Sequence, residues 1–203
     1  MYATHATIIS QYARSSPEAF AAVVQFVILT IRQPLYRVPD DTITAARQDE
    51  QSLDVLWGWK WQAYNSAETE AEATYSFCEH IYNDHSLDDQ ETAAILIEYL
   101  ADLPGLGLAK AGFVIQLIYG LAGCLDTHNI TQYGLPPRTF DSYKQRSSKA
   151  RRKLCQRYVQ TVYELGGPEV LWNNWCEYVA THQADNYRDA YHVSALHCEA
   201  LNL

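Results

Sequence analysis

Apolar residues recur along this chain at the three- and four-residue spacing of amphipathic helices, and the two-residue alternation of strands is nearly absent. Ser16-Pro17-Glu18 has the order of a helix start: a capping hydroxyl, a proline in the first turn and an acid at the positive end of the dipole. The helix it predicts runs through Ala19 to about Arg32, where Pro34 ends it. Its apolar run, Phe20 to Ile31, is 12 residues long with Gln25 inside, too short to cross a bilayer and suited to a central, buried helix. Pro39-Asp40-Asp41 predicts a turn, and Thr42 to Trp57 one or two short helices burying Ile43, Leu53, Val55 and Leu56. Ser66 to Asn83 predicts a single helix with Ala67, Ala71, Tyr75, Cys78 and Tyr82 along its inner side.

The middle of the chain predicts a pair of helices. Asp88 or Asp89 can cap the first, Glu91 follows, and Ala94, Ile95, Leu96, Ile97, Leu100 and Leu103 form its apolar face. Leu103-Pro104-Gly105-Leu106-Gly107 interrupts the pattern, and a second helix follows over Leu108 to Tyr119 with Ala111, Val114, Ile115 and Ile118 inward. Beyond the break at Tyr133-Gly134-Leu135-Pro136-Pro137, Ser147 to Leu165 predicts a basic amphipathic helix with Leu154, Tyr158, Val162 and Leu165 inward. Gly166-Gly167-Pro168 separates it from a helix burying Val170, Leu171, Trp175, Tyr178 and Val179, and Asn186 to Leu201 forms the last, with Tyr187, Tyr191 and Leu196 inward and His192 and His197 on the surface or packed. The pattern predicts an all-α fold and one compact unit over 1–203.

The glycine turn is where chemistry enters. The free amides of Gly105, Gly107 and the residues just beyond point outward at the start of a helix, a backbone geometry suited to a phosphate oxygen. Leu103-Pro104-Gly105-Leu106-Gly107 resembles the helix-hairpin-helix motif, and the resemblance extends to Leu125-Asp126-Thr127-His128, 19 residues from Gly107 to Asp126. In the helix-hairpin-helix DNA glycosylases, the endonuclease III type among them, a matching aspartate is catalytic. The resemblance covers Leu87 to about Gly134 and implies two helical lobes with a cleft between, one over about 34–134, the other joining 1–33 and 135–203. It also implies phosphate contacts from Gly105, Leu106, Gly107 and Lys110, a nucleotide turned out of double-stranded DNA, and Asp126 at its sugar, with His128 in support. Family members that also cleave the backbone carry a lysine where this chain has Ala109; Lys110 stands one step, about 100° of helix rotation, away. Excision without strand cleavage is the expectation.

Composition modifies this picture at three points. The net charge of -9 speaks against a nucleic-acid partner, but eight of the 15 Lys and Arg fall between Arg138 and Arg157, with Asp141 the only acid there. Lys144, Arg146, Lys149, Arg151, Arg152 and Lys153 can therefore form a phosphate-binding stripe, or merely a solvated helix face. Trp57, Trp59 and Trp61, with Lys60 between them, can stack on an extruded base or fill the core; Gln33, Tyr36 and Tyr133 are further candidates for the base pocket. Five cysteines without a CxxC pair exclude a disulfide scaffold and the four-cysteine cluster of some endonuclease III relatives, and His80, Asp84 and His85 lack a fourth ligand, so neither cofactor nor metal is implied.

The polar segment 1–16 lacks the pattern of a secretion signal, and the expectation is a monomeric cytoplasmic protein, of a bacterium or a phage-infected cell, without a membrane partner. Two other functions stay open at this point. One is a phage-type DNA hypermodification enzyme, such as an amino acid:DNA transferase; the other is a non-catalytic DNA-binding module in which Asp126 only caps a helix.

Overall fold

The computed structural model describes residues 2–46 and 58–203, which form eleven α-helices and, among the described residues, no strand. The first two are α1 (Tyr2–Ala13) and α2 (Pro17–Leu29). Ser16 caps α2 through a 3.2 Å bond from Ala19 N to its Oγ. Apolar on every side, α2 lies at the centre against α1, α3 (Val38–Ala46), α4 (Trp59–Thr69), α5 (Ala71–Tyr82) and α7 (Leu108–Tyr119).

Helix α2 stops at Leu29, short of Arg32, because a side chain from elsewhere takes up its last carbonyls. The ammonium of Lys60 donates to Leu29 O at 3.0 Å and Ile31 O at 3.1 Å, a cation on the negative end of the dipole. Lys60 therefore points inward at 2% exposure and is not a solvent-facing cation between stacking tryptophans. Burial lowers its pKa, and the charge of nearby Asp41 opposes that shift.

Other expectations change with packing. Pro39-Asp40-Asp41 lies within α3, not in a turn, since the first helical turn has no use for the amide hydrogen that proline lacks. Ile43 is 44% exposed instead of buried, while Leu53, Val55, Leu56 and Trp57 fall outside the described residues. The single helix expected over Ser66 to Asn83 is two, broken at Glu70; no Gly or Pro marks the break, and both pieces pack on α2.

The helix pair of the middle follows the sequence closely. Helix α6 (Asp89–Leu100) opens with a capping box in which Asp88 accepts from Glu91 N at 2.8 Å and the Glu91 carboxylate accepts from Asp88 N. A short α8 (Thr127–Gln132) comes next after α7, then α9 (Ser148–Glu164), which lies along α6. The two run antiparallel: Arg151 and Arg152 at the start of α9 pair with Asp102 (2.6 Å) and Glu98 (3.2 Å) at the end of α6, while Tyr163 at the far end of α9 feels Asp88 and Asp89.

Helices α10 (Pro168–His182) and α11 (Ala190–Ala200) pack on each other and on α1, and a 2.7 Å bond between His5 Nδ1 and Ser194 Oγ fastens the first helix to the last. Val170 and Tyr191, expected inside, lie on the outer sides of these helices at 41% and 57% exposure. Among the described residues no helix is long and apolar enough to cross a membrane.

Candidate active site

The segment 120–129 brings Asp126 to its place, and buried polar contacts fix its course. Tyr158 of α9, fully enclosed, donates its hydroxyl hydrogen to Gly123 O at 2.7 Å and accepts from Leu125 N at 2.8 Å. Asn129 Nδ2 donates to Cys124 O. This segment can lie so close to α7 only because position 112 is glycine: a Cβ there would come within 2.5 Å of both Gly123 O and the Tyr158 hydroxyl.

Asp126 itself is the N-cap of α8. Its Oδ1 accepts from His128 N and Asn129 N, each at 3.1 Å. The side chain remains half-buried and opens on a cleft of about 550 Å³ between α7, the loop 30–35, α10 and α11. That volume lies within the roughly 300–1,000 Å³ of pockets that hold small molecules. Cys124 lies beside the carboxylate; burial first, and then the Asp126 charge, push its thiol up to about 12.

Lys110, His128 and Gln33 line the same cleft as Asp126. The Lys110 ammonium sits 3.5 Å from Thr30 Oγ1 and 5.5 Å from the centre of the Phe113 ring, so the rotation from Ala109 to Lys110 is the one that aims a lysine into the cleft.

The hairpin turn presents two different surfaces. Gly105, at φ +75, packs against α4 so tightly that a Cβ would meet Ala63 Cβ at 2.4 Å, and Leu106 is buried. Gly107 has open space on its Cα and no side chain caps the helix it begins. Gly107 is thus the open part of the turn.

The two proposed base-pocket tryptophans that are described, Trp59 and Trp61, lie elsewhere. Trp59 packs beside Gly105, and Trp61 is stacked on Tyr64 with 3° between the rings; neither lines the cleft of Asp126. Tyr133 is held by Asn174 Nδ2 at 3.0 Å, and Tyr36 packs edge-on to Tyr187 outside the cleft lining. The aromatic wall comes from Phe113, Trp172, Trp175, Tyr178 and Tyr187 instead. His197 stands among them, with its ring centre 4.5 Å from that of Trp172 and 6.0 Å from that of Phe113.

The sequence pattern turns Trp175, Tyr178 and Tyr187 inward but gives none of them a role, and it leaves His197 to the surface or the core. The one signal it carries is a histidine four residues after Val193 on the inner face of α11, a polar group where an apolar one is the rule. Arg32 has no such signal; it reaches the rim of the cleft from a left-handed backbone position, φ 59, which non-glycine residues seldom adopt.

The basic run is partly engaged within the molecule. Arg151 and Arg152 are ion-paired with Asp102, just past the end of α6, and with Glu98 of α6; Lys144 Nζ donates to Leu103 O of the turn at 3.3 Å, and Arg146 to Asp141 O at 3.2 Å. Lys149 and Lys153 are exposed on α9. Comparison of the chain with protein-family models, curated proteins and solved structures finds no match.

Proposed function

We propose that the protein is a DNA-acting enzyme of the helix-hairpin-helix glycosylase type, two-lobed, that hydrolyses the N-glycosidic bond of a nucleotide turned out into the cleft. One observation carries the reading: Asp126, at the family's distance from the glycine turn, opens on an aromatic cleft of about 550 Å³. Departure of a base develops positive charge on the sugar, and a carboxylate at C1′ stabilises that charge and orients the attacking water. The α8 amides that Asp126 accepts from hold the carboxylate in one rotamer. The amides at the start of α7 and the exposed lysines of α9 hold the phosphates.

Replacing Asp126 by Asn tests the assignment, since asparagine caps a helix about as well as aspartate. Base release from a panel of damaged and modified duplexes is expected to fall by about 10²- to 10⁴-fold while duplex affinity and thermal stability are retained. Unchanged turnover overturns the role of Asp126. With alanine at position 109, the product is an abasic site that persists until alkali is added; direct nicking, with borohydride trapping the DNA on Lys110, overturns that part. Mass spectrometry of the nucleosides separates excision from group transfer, which leaves a heavier nucleoside in the strand.

A second reading, a duplex-binding module without catalysis, is favoured by the cap geometry itself, because both Asp126 bonds are those of a structural N-cap. It is the conclusion if no duplex in the panel yields a free base.

A further inference from the structure

Donors such as Lys110 and Gln33 line the cleft, and two of its buried side chains are acceptors without a partner among the described residues. His197 Nδ1 faces the carbonyl oxygens of Val193 at 3.1 Å and Ser194 at 3.3 Å, and a carbonyl only accepts, so Nδ1 carries the ring hydrogen and Nε2 a lone pair. Burial lowers the pKa of this ring to about 4, which keeps it neutral near pH 7. Its Nε2 is buried and has no hydrogen-bond partner among the described residues. Asn129 repeats the arrangement: at 3% exposure its Nδ2 is used on Cys124 O, and its Oδ1 is a buried acceptor without a partner among the described residues.

Both residues line the cleft beside Asp126. Two orphaned acceptors, one among the aromatic walls and one on α8, are unfavourable in isolation and become favourable when a flat ligand brings N–H hydrogens to them. A heteroaromatic ring with an exocyclic amino group has that chemistry: its faces stack on the walls and its amino edge donates. Thymine is a poorer match, since that edge offers a single N–H between two carbonyls and carries no amino group.

We propose that this cleft selects an amino-bearing nucleobase, of the adenine or cytosine kind, whose donor edge is received by His197 Nε2 and Asn129 Oδ1. The inference rests on the reading of the cleft as a base pocket and adds the edge that it recognises. His197 and Asn129 are here specificity residues, while Asp126 remains the catalytic one.

Calorimetric titration of the full chain with free adenine, cytosine, thymine and 6-methylpurine tests it without requiring DNA or turnover. Adenine and cytosine are expected to bind about ten-fold or more tightly than 6-methylpurine, the near-isostere in which a methyl replaces the amino group, and than thymine. His197→Phe, which keeps a ring in the aromatic wall, is expected to reduce adenine affinity about ten-fold and to leave 6-methylpurine unaffected. Equal binding of adenine and 6-methylpurine, or no binding of any amino-bearing base, overturns the proposal. Base release from duplex without this preference refutes the edge selection alone. A ten-fold amino preference in a protein that releases no base from any duplex refutes the glycosidic reading alone.

Discussion

The cleft and the basic face of α9 lie on either side of the same segment, yet they are built in opposite ways. In the cleft, Asn129 and His197 are enclosed, as is Tyr158 behind the segment that carries Asp126, and each has at least one polar atom fixed by backbone. On α9 most of the charges are exposed, and Arg151 and Arg152 are held by acids at and just past the end of α6. Arginines stand at the positive end of α9 and acids at the negative end of α6, each against its own dipole, and the antiparallel packing lets the two misplacements cancel in the pairs Arg151–Asp102 and Arg152–Glu98. Position in the cleft is held by desolvated bonds, and charge on α9 is held by pairs that salt can screen. Chemistry that needs a fixed carboxylate therefore belongs to the first region, and adjustable contact with a charged polymer to the second.

Acid is expected to expose the contrast most strongly. His197 has its pKa lowered to about 4 from an ordinary 6.5, so between those values the unfolded chain binds the more protons. Stability is fully present above pH 6.5 and falls as pH drops toward 4, by roughly 3 kcal/mol from this group. His5, also lowered by burial, adds to the same slope. Urea midpoints measured from about pH 7.5 to 4 check this, and His197→Phe is expected to flatten most of the acid limb. A midpoint that does not move with pH would mean that the ring is not desolvated.

Tyr158→Phe is expected to have the next largest effect. It strips Leu125 N and Gly123 O of their buried partner, destabilising the fold by about 1–3 kcal/mol. Turnover falls with it because Asp126 is the next residue along, while duplex affinity is unchanged. Weaker duplex binding in step with turnover would show that the two regions are not separable.

The smallest effects belong to α9. Replacing Lys149 and Lys153 by Ala is expected to weaken duplex binding and to reduce its salt slope by about one for each phosphate that is no longer neutralised, with saturated turnover retained. A double-mutant cycle on Arg151 and Asp102, whose side chains are 25% and 48% exposed, is expected to give about 0.2–1 kcal/mol. A larger coupling would place that pair with the cleft in kind.

Much of the fold is legible in the sequence because its signals are local. The box at Asp88 and Glu91, the glycine at 107 and the cap at Asp126 each set a helix boundary within a few residues of chain. The break at Glu70 has no such marker, and the early stop of α2 depends on an ammonium 31 residues away in sequence. The site is half legible for the same reason. Asp126 follows from its spacing to the turn, whereas the aromatic wall joins α7 to α10 and α11 through tertiary packing that no local pattern encodes. Trp59 and Trp61 stand out in the sequence because they are neighbours, which says nothing about which cavity they meet.

The clasp between His5 and Ser194 gives the amino-terminal helix a mechanical hold on the cleft. Ser194 also accepts from the indole of Trp172 at 3.3 Å and stands one helical turn before His197, so one hydroxyl joins the first helix to two walls of the cavity. Anything that draws α1 outward, whether a fused tag, a bound partner or a truncation, loosens a latch 189 residues away along the chain and slackens the cavity without touching its lining.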